Sequence, residues 1–358
     1  MKVVHIINRL IGGGAEVMVP QIHREHLAAG VDSWILSMET GDDRGTEKVV
    51  SFGERLPRWK EPFRLRKLLR GMAEESPIDV VHTHLTQSQM FGKYAVRGLK
   101  NRPALVTTEH DTSNRRRELP GGRIFDRCLY RGYDRIICIS DGVKESMEDW
   151  VPQTAGKLTT IANGVDLRPF DALNRSVDLK ETVQFLSVGR VIPKKNFGLA
   201  IRALAGLADL DWTYTIVGTG EQTGELEELA KSHGVGDRVR FAGYCEDVVP
   251  YYASSDVFLL PSLWEGFGLV AAEAMGAGLP VLASDVPGLA ELVGRAGDTG
   301  VLLPVDDVGA WTEAIAAILK SPQDRVRLGE AARVRARNFS VEHTAASYLN
   351  LYEELKSE

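Results

Sequence analysis

The sequence predicts an α/β protein with two domains, each built on a parallel sheet covered by helices. Short apolar, β-branched runs alternate with helical patterns along the chain, which is typical of parallel strands buried on both faces. This alternation stops at a turn-rich segment near residues 161–180 and then starts again. A length of 358 residues is also long for one domain and comfortable for two.

The composition narrows the class of protein. Apolar residues make up 44% and charged residues 26%, which is ordinary for a globular enzyme. The three cysteines lack CxxC or Cys/His spacing, so we expect reduced thiols and no structural zinc site. No signal peptide and no run of ~20 apolar residues is found, so we expect a cytoplasmic protein.

Charge is divided unevenly between the two halves. Residues 1–170 carry a net charge of +4 and the remainder −10. This asymmetry indicates different partners for the two halves. Nucleic acid is not among them, because the basic residues do not interleave with aromatic ones.

A glycine-rich loop follows the first predicted strand, 2–7, and precedes a helix over 16–29. Gly12, Gly13 and Gly14 stand at this junction. Backbone N–H groups and the positive end of a helix dipole favour an anion there. A flexible turn is the alternative, since the spacing is not a dinucleotide fingerprint. Pro20 is expected to kink the helix or to restrict its first turn.

Polar residues at the carboxyl ends of two later strands are candidate ligand contacts. The predicted strand 79–84 ends in His84, and the strand 104–108 is followed shortly by His110. Ligands bind outside the carboxyl ends of strands in open α/β sheets. His110 is therefore a candidate to hydrogen-bond a ligand hydroxyl, and a structural histidine is the alternative at both positions.

Arginines are concentrated between residues 115 and 135. Four of them follow a four-residue spacing and are predicted to lie along one side of a helix: Arg123, Arg127, Arg131 and Arg135. The tract is either a solvated face or a surface for anionic lipid head groups or a lipid-linked phosphate. The arginines assigned to this surface are Arg115, Arg116, Arg117, Arg123, Arg127 and Arg131.

The second half begins with a strand at 182–188, after a predicted linker and hinge near 168–181. Arg190 and Lys195 flank the loop between this strand and a helix over 197–207. Two cations at a strand-to-helix turn suit a diphosphate leaving group. The alternative is a solvated loop.

The most informative stretch covers residues 261–275. Gly266 and Gly268 lie where an apolar strand passes into a helix, so the junction favours an anion. Glu265 and Glu273 bracket this junction. Carboxylates beside an anion site suit a ligand that carries hydroxyls next to phosphates, which is the layout of a nucleotide sugar.

The rest of the second half continues the α/β pattern. Gly218 lies in a partial GxGxxG, and the turn at Gly243 and Tyr244 can offer backbone groups to a nucleobase. Asp209 and Asp211 form a DxD in a helix-to-strand connection, far from the other motifs, and we do not expect a metal there. The other strands predicted along the chain cover 31–37, 135–140, 212–217, 238–242, 256–260, 280–284 and 300–304. The other predicted helices cover 64–74, 225–233, 248–254, 269–277, 311–320, 324–337 and 341–356, and a further helix begins at 287.

These motifs together resemble the retaining glycosyltransferases of family 4, whose GT-B fold has two Rossmann-like domains facing each other across a cleft. The resemblance covers almost the whole chain and is strongest from 187 to 293. It implies an acceptor domain at 1–170, a nucleotide-sugar domain at 171–339 and a helix at 340–358 that returns to the first domain. The motifs are Gly12–Glu16, Asp79–His84, Asn163–Asp166, Gly189-Arg190 with Lys195-Asn196, and the EX7E pair Glu265 and Glu273.

The resemblance implies a role for each matching residue. Arg190 and Lys195 would hold the donor diphosphate and stabilise the leaving group. Glu265 would bind the donor sugar, Glu273 the ribose, and His110 the transferred sugar. The other implied donor contacts are Gly13, Gly14, Gly218, Gly243, Tyr244, Gly266, Phe267, Gly268 and Leu269.

The implied reaction moves a sugar from a UDP- or GDP-linked donor to a hydroxyl acceptor, with retention of configuration and without a metal or other cofactor. The arginine tract favours a lipid-linked or cell-surface polysaccharide intermediate as acceptor, and peripheral contact with the inner face of the membrane. A GT-B sugar-nucleotide epimerase and a sugar-nucleotide-binding pseudoenzyme are the alternatives. The intact cations and both glutamates favour transfer.

Overall fold

The computed structural model describes residues 1–39, 46–52, 57, 59–112, 114–173 and 182–357. They form two compact units, the first comprising Met1–Gly164 and Val341–Glu358 and the second Val165–Ser340. Each unit is a parallel sheet with helices packed on it, so the predicted α/β class with two Rossmann-like domains is confirmed. Most of the predicted linker and hinge lies outside the described residues.

The described residues of unit 1 form a seven-stranded parallel sheet in the order β3-β2-β1-β4-β5-β6-β7. The strands are β1 (Lys2–Ile7), β2 (Asp32–Ser37), β3 (Val49–Ser51), β4 (Val80–His84), β5 (Ala104–Glu109), β6 (Arg135–Cys138) and β7 (Leu158–Thr160). The helices are α1 (Gly14–Ala28), α2 (Glu61–Glu75), α3 (Thr86–Ala95), α4 (Gly122–Tyr130), α5 (Asp141–Trp150) and, from the end of the chain, α14 (Val341–Ser357).

Unit 2 has a six-stranded parallel sheet in the order β10-β9-β8-β11-β12-β13. The strands are β8 (Val183–Val188), β9 (Trp212–Val217), β10 (Val239–Gly243), β11 (Val257–Leu260), β12 (Val281–Ser284) and β13 (Gly300–Leu303). The helices are α6 (Arg168–Asp171), α7 (Phe197–Ala205), α8 (Thr223–Ser232), α9 (Val249–Ser254), α10 (Leu269–Gly276), α11 (Pro287–Val293), α12 (Val308–Lys320) and α13 (Pro322–Ala336).

The last helix of the chain, α14, packs against α1 and the sheet of unit 1. Its buried face contributes Val341, Ala345, Tyr348, Leu351 and Tyr352 to an apolar cluster with strand and α1 residues. Polar contacts fix its orientation, because the hydroxyl of Tyr352 lies 2.5 Å from Nδ1 of the buried His82. Apolar burial and these hydrogen bonds together hold the end of the chain in unit 1.

The strand order reverses at β1 in unit 1 and at β8 in unit 2. Loops at the carboxyl ends of the strands that flank such a switch point diverge and leave a crevice for a ligand. In unit 2 these are the loop 189–196 after β8 and the loop 261–268 after β11. The fold therefore places the two cations and the EX7E segment at neighbouring strand ends.

The loops after β8 and β9 pack backbone against backbone. Gly218 has a φ of +136°, and a Cβ at this position would lie 2.0 Å from the carbonyl oxygen of Gly189. Its N–H donates to the carbonyl of Gly243 at 2.7 Å. Close packing thus gives a structural reason for this glycine, and its contact with a donor stays a prediction.

We expect Gly218→Ala to lower the free energy of unfolding by roughly 2–4 kcal/mol, because the methyl group would overlap the Gly189 carbonyl at a strained φ. Gly224→Ala on α8 is the matched control, since a Cβ there meets nothing within 4 Å. Chemical denaturation of both variants checks this. Equal stability of Gly218→Ala and the control would contradict the packing argument.

Candidate active site

Lys195 and Glu265 form a partly buried ion pair at the switch point of unit 2. Lys195 Nζ lies 2.5 Å from Glu265 Oε1, and the two side chains are only 15% and 10% exposed. Lys194 Nζ is 3.9 Å from the other carboxylate oxygen, and the Ser262 hydroxyl donates to Oε1 at 2.9 Å. Burial would raise the pKa of Glu265, but the two lysines outweigh it and hold this pKa below its ordinary value. Glu265 is therefore ionised.

The loop after β8 has the backbone geometry that this ion pair needs. A Cβ on Gly189 would lie 3.2 Å from Lys195 Cε, so the glycine leaves room for the lysine side chain. Asn196 adopts the left-handed conformation at the start of α7, and its Nδ2 donates to the carbonyl of Val305 at 3.1 Å. The N–H of Leu263 donates to the carbonyl of Lys194 at 2.8 Å and joins the two loops.

The start of α10 presents backbone N–H groups at the same switch point. Gly268 occupies the N-cap position with a φ of +93°, and no side chain caps the helix. A Cβ on Gly288 would lie 2.6 Å from the carbonyl of Gly266, so α11 packs directly on the peptide that follows Glu265. Uncapped N–H groups at a helix start favour an anion.

Glu273 lies on α10 in an environment opposite to that of Glu265. Its Oε2 accepts a hydrogen bond of 2.8 Å from the hydroxyl of Tyr252, which is fully buried on α9. Among the described residues, Oε1 has no protein partner. Burial raises the pKa of Glu273 to about 7, although the Tyr252 hydrogen bond acts in the other direction.

The remaining predicted donor contacts of unit 2 differ in exposure. Phe267 is buried, whereas the side chains of Arg190 and Tyr244 are exposed. Gly243 ends β10 with a φ of +73°. The structure therefore unites Lys195, Glu265 and the start of α10, and Arg190 lies on the same loop without joining the ion pair.

His110 follows β5 in unit 1. Its two ring nitrogens are buried and have no hydrogen-bond partner among the described residues. Burial lowers the pKa of His110 to about 4, so the ring is neutral at pH 7. A neutral imidazole without a protein partner can donate to one ligand group and accept from another.

His84 is a core residue, so the structural alternative applies to it. Its Nε2 lies 3.2 Å from Nδ1 of His5, and both residues are fully buried. Together with His82 they form the one group, among the residues described, that could hold a metal ion. The predicted active-site residues do not belong to this group.

The glycine loop of unit 1 begins α1. Gly13 is the N-cap residue and Gly14 the first helical residue. The Glu16 carboxylate, paired with Arg9 at 3.5 Å, lies 2.6 Å from the position that a Cβ on Gly13 would take. Pro20 lies inside α1 without ending it.

The predicted arginine surface needs correction. The helix α4 ends at Tyr130, and Arg135 begins β6, so Arg135 does not share a helix with Arg123 and Arg127. Gly132 follows the helix end, and pairing of β6 with β5 determines the conformation of the next residues. The four-residue spacing therefore did not indicate one continuous helix.

The prediction of a membrane surface is also wrong for Arg116 and Arg117. The Arg116 guanidinium is paired with the buried Asp126 at 2.7 Å, and its side chain is 13% exposed. Arg117 donates to the carbonyl of Thr112 and the hydroxyl of Ser146. Both arginines hold the segment before α4 inside unit 1. The side chain of Arg115 lies outside the described residues.

The exposed part of this segment is both apolar and basic, and we call it the α4 surface. Ile124 is 71%, Leu119 59% and Phe125 41% exposed. Three exposed arginines accompany them: Arg123, Arg127 and Arg131. In the described part of the chain, no helix is long and apolar enough to cross a membrane.

Family profiles match nearly the whole chain. Residues 12–168 match the profile described as Glycosyltransferase Family 4, and residues 171–335 match Glycosyl transferases group 1. The two parallel sheets with helices packed on them agree with these matches. The chain belongs to the family 4-type glycosyltransferases with the GT-B fold.

Individual relatives agree with this assignment. A lipopolysaccharide core biosynthesis mannosyltransferase, LpsB, of Rhizobium meliloti is 29% identical, over 95% of this chain and 97% of that one. A D-inositol 3-phosphate glycosyltransferase of Kribbella flavida is 31% identical, over 80% of this chain and 74% of that one. The crystal structure of Anabaena HepE in complex with UDP has a TM-score of 0.83 at 21% identity, and the match covers 99% of this chain and 100% of that one.

Three side chains of the site were not predicted from the sequence. Ser262 and Lys194 contact or approach Glu265, and Tyr252 holds Glu273. Lys194 is adjacent to a predicted residue, and Ser262 precedes Glu265 by three positions, so proximity in sequence was a usable signal. Tyr252 lies on another helix and had no such signal.

We expect Glu273→Gln to stabilise the ligand-free protein at alkaline pH. The folded carboxyl keeps its proton up to about pH 7 and the unfolded one only to about 4.5. The stability that Glu273 contributes is therefore complete below pH 4.5 and is lost as the pH rises through 7. Glutamine does not titrate. Between pH 5 and pH 8 the free energy of unfolding of the variant should therefore rise by about 1–2 kcal/mol relative to that of the wild type.

Melting temperatures across this pH range measure the effect. Glu313→Gln, at an exposed position of α12, is the matched control and should show no such trend. A constant difference between Glu273→Gln and the wild type at all pH values would contradict a proton held by Glu273.

Proposed function

We propose that this protein is a retaining glycosyltransferase that moves a sugar from a UDP- or GDP-linked donor to a hydroxyl of a lipid-linked or cell-surface saccharide. The observation that carries the proposal is the Lys195–Glu265 ion pair of 2.5 Å at the switch point of unit 2. It holds a cation beside the uncapped start of α10, where a diphosphate would bind.

The donor diphosphate is assigned to Lys195, Arg190 and the first N–H groups of α10. Lys195 then lies between two anions, the diphosphate and Glu265. The carboxylate keeps the ammonium group oriented, and the α10 dipole adds partial positive charge. Glu265 retains lone pairs for hydroxyls of the donor sugar, and Glu273 is assigned to the ribose.

In the proposed reaction the bond between sugar C1 and the diphosphate oxygen breaks, and a bond between C1 and the acceptor oxygen forms on the same face. The acceptor proton passes to the leaving diphosphate. The electron pair of the broken bond stays on the diphosphate oxygen, so negative charge accumulates there in the transition state, and Lys195 and Arg190 stabilise it. These cations supply the charge that a metal ion supplies elsewhere, so the proposed reaction is metal-independent.

The acceptor is assigned to unit 1, and His110 to the transferred sugar. Both ring nitrogens of His110 lack protein partners among the described residues, which supports a ligand contact. The likeness to a lipopolysaccharide core mannosyltransferase over nearly the full length of both chains supports a saccharide acceptor. D-inositol 3-phosphate appears in the name of another relative, so the family name alone does not define the acceptor.

Incubation with UDP- and GDP-sugars tests the proposed function. We expect slow donor hydrolysis that releases free sugar of retained configuration and is unchanged by EDTA. Lys195→Ala should lower turnover by roughly 10²–10³-fold, because it removes charge stabilisation in the transition state. Lys231→Ala, an exposed lysine on α8, is the control and should leave turnover unchanged.

Two glutamate variants sharpen this test. Glu265→Gln should impair sugar handling more than nucleotide binding, and Glu273→Ala should do the reverse. Release of an epimerised nucleotide sugar would instead identify an epimerase, and binding without turnover would identify a pseudoenzyme. Equal effects of Lys195→Ala on binding and turnover would contradict a transition-state role.

We also propose that the α4 surface makes peripheral contact with an anionic membrane. Its exposed apolar side chains can enter the interface while the arginines contact phosphate groups. Each arginine near an anionic surface contributes about 1 kcal/mol. This arrangement brings a lipid-linked acceptor and the enzyme to the same surface.

Sedimentation with vesicles tests this contact. We expect binding to vesicles that contain phosphatidylglycerol, weakened more than tenfold by the double change Arg127→Glu and Arg131→Glu. Ile124→Ser should weaken binding at high salt as well, since its contribution is apolar. Binding that is equal on neutral vesicles, or unaffected by these changes, would overturn the proposal.

A further inference from the structure

Ring packing and hydrogen bonds hold Tyr252 beside Glu273. Its ring is fully buried and packs edge-on against Phe170, with centroids 5.6 Å apart, and in a tilted arrangement against Phe258, with centroids 5.9 Å apart. Its hydroxyl reaches Glu273 Oε2 at 2.8 Å and the carbonyl of Val270 at 3.2 Å. These ring contacts place the hydroxyl next to the carboxylate.

The hydroxyl carries one proton, and both Glu273 Oε2 and the carbonyl of Val270 can accept it. The protonation state of Glu273 therefore decides to which of them the hydroxyl donates. When Glu273 is ionised, Tyr252 donates to its Oε2. When Glu273 is protonated, the carboxyl can donate to the tyrosine oxygen, and the tyrosine donates to Val270. Both states satisfy the pair, but only the ionised one presents a pure acceptor to a ligand.

We propose that Tyr252 is the positioning residue of Glu273: it fixes Oε2 and leaves Oε1 to accept hydrogen bonds from the ribose hydroxyls of the nucleotide. This inference rests on the proposed function, because it assumes a nucleoside diphosphate in unit 2. It adds a residue that does not touch the ligand and acts through the carboxylate.

In the described part of the chain, no charged side chain is paired with Glu273. The elements packed against α10 include α6, α11, α13, β11 and β12. Among the described residues of these elements, no charged side chain forms an ion pair with Glu273, and Tyr252 on α9 is the titratable group in contact with it. Burial raises the pKa of Glu273 to about 7, so ribose binding draws on the ionised fraction near neutral pH.

Affinity for the ribose should therefore increase as the pH rises through about 7 and level off above it. Without the Tyr252 hydroxyl, the ionised state loses its hydrogen bond. The midpoint should then move to higher pH, and affinity at neutral pH should fall about tenfold.

Titration of the full-length protein with UDP and with 2′,3′-dideoxy-UDP, from pH 5.5 to 8.5, tests the inference, with the GDP pair run in parallel. The two ligands of each pair carry the same titrating phosphates. The difference between their affinities therefore reports the contribution of the ribose hydroxyls. We expect Tyr252→Phe to weaken UDP binding about tenfold and to leave the binding of dideoxy-UDP nearly unchanged. The pH midpoint of the difference in affinity should move to higher pH. If GDP is the nucleotide bound, the same applies to that pair.

Tyr214→Phe is the matched control: it removes a buried hydroxyl of unit 2 that lies 2.7 Å from Ser187 and does not contact Glu273. It should leave both affinities unchanged. Glu273→Gln, which does not depend on the folding of the tyrosine variant, should abolish the pH dependence of the UDP difference.

Two results would overturn the inference. If Tyr252→Phe weakened the binding of UDP and of dideoxy-UDP equally, the role of the tyrosine hydroxyl would be structural only. An unchanged midpoint would show that the hydroxyl does not act through the carboxylate. Failure of the wild type to bind either UDP or GDP would instead refute the proposed function itself.

Discussion

The ion pair between Lys195 and Glu265 is the interaction on which the candidate site depends. Removing two charges from water is costly, and mutual attraction offsets this only when further groups satisfy both partners. Ser262 and Lys194 do so for the carboxylate, and the hydrogen bond from Leu263 to Lys194 keeps the two loops in register. The pair is better understood as a device that orients a cation than as a source of stability.

The two glutamates of the EX7E motif owe their different chemistry to their positions on either side of a helix start. Glu265 precedes α10 and meets two lysines, so it is ionised. Glu273 lies on the helix with no cation beside it among the described side chains, and burial raises its pKa to about 7 although the Tyr252 hydroxyl donates to it. Carboxylates whose environments move their pKa values apart can serve distinct tasks within one site.

Much of the fold and part of the site could be predicted from the sequence. Buried parallel strands such as β8 and β11 are continuous apolar runs, and the motif spacing identified Lys195 and Glu265. The strands β3 and β7 have three residues each, too few to show a period. The spacing of arginines suggested a longer helix than α4, because sequence spacing does not report the sheet pairing that determines β6. Tyr252 precedes Glu273 by 21 residues, and only the tertiary structure brings the two side chains together.

The glycines of unit 2 show why a motif residue can serve a site without touching a ligand. Gly189 makes room for the Lys195 side chain, and Gly218 allows the next loop to rest on the Gly189 carbonyl. Gly288 allows α11 to lie against the peptide that follows Glu265. Each close contact restricts a loop that carries a charged side chain, and a larger residue would displace that loop. Catalytic groups need placement to within a fraction of an ångström, so these glycines act on the chemistry through the rigidity of the backbone they pack.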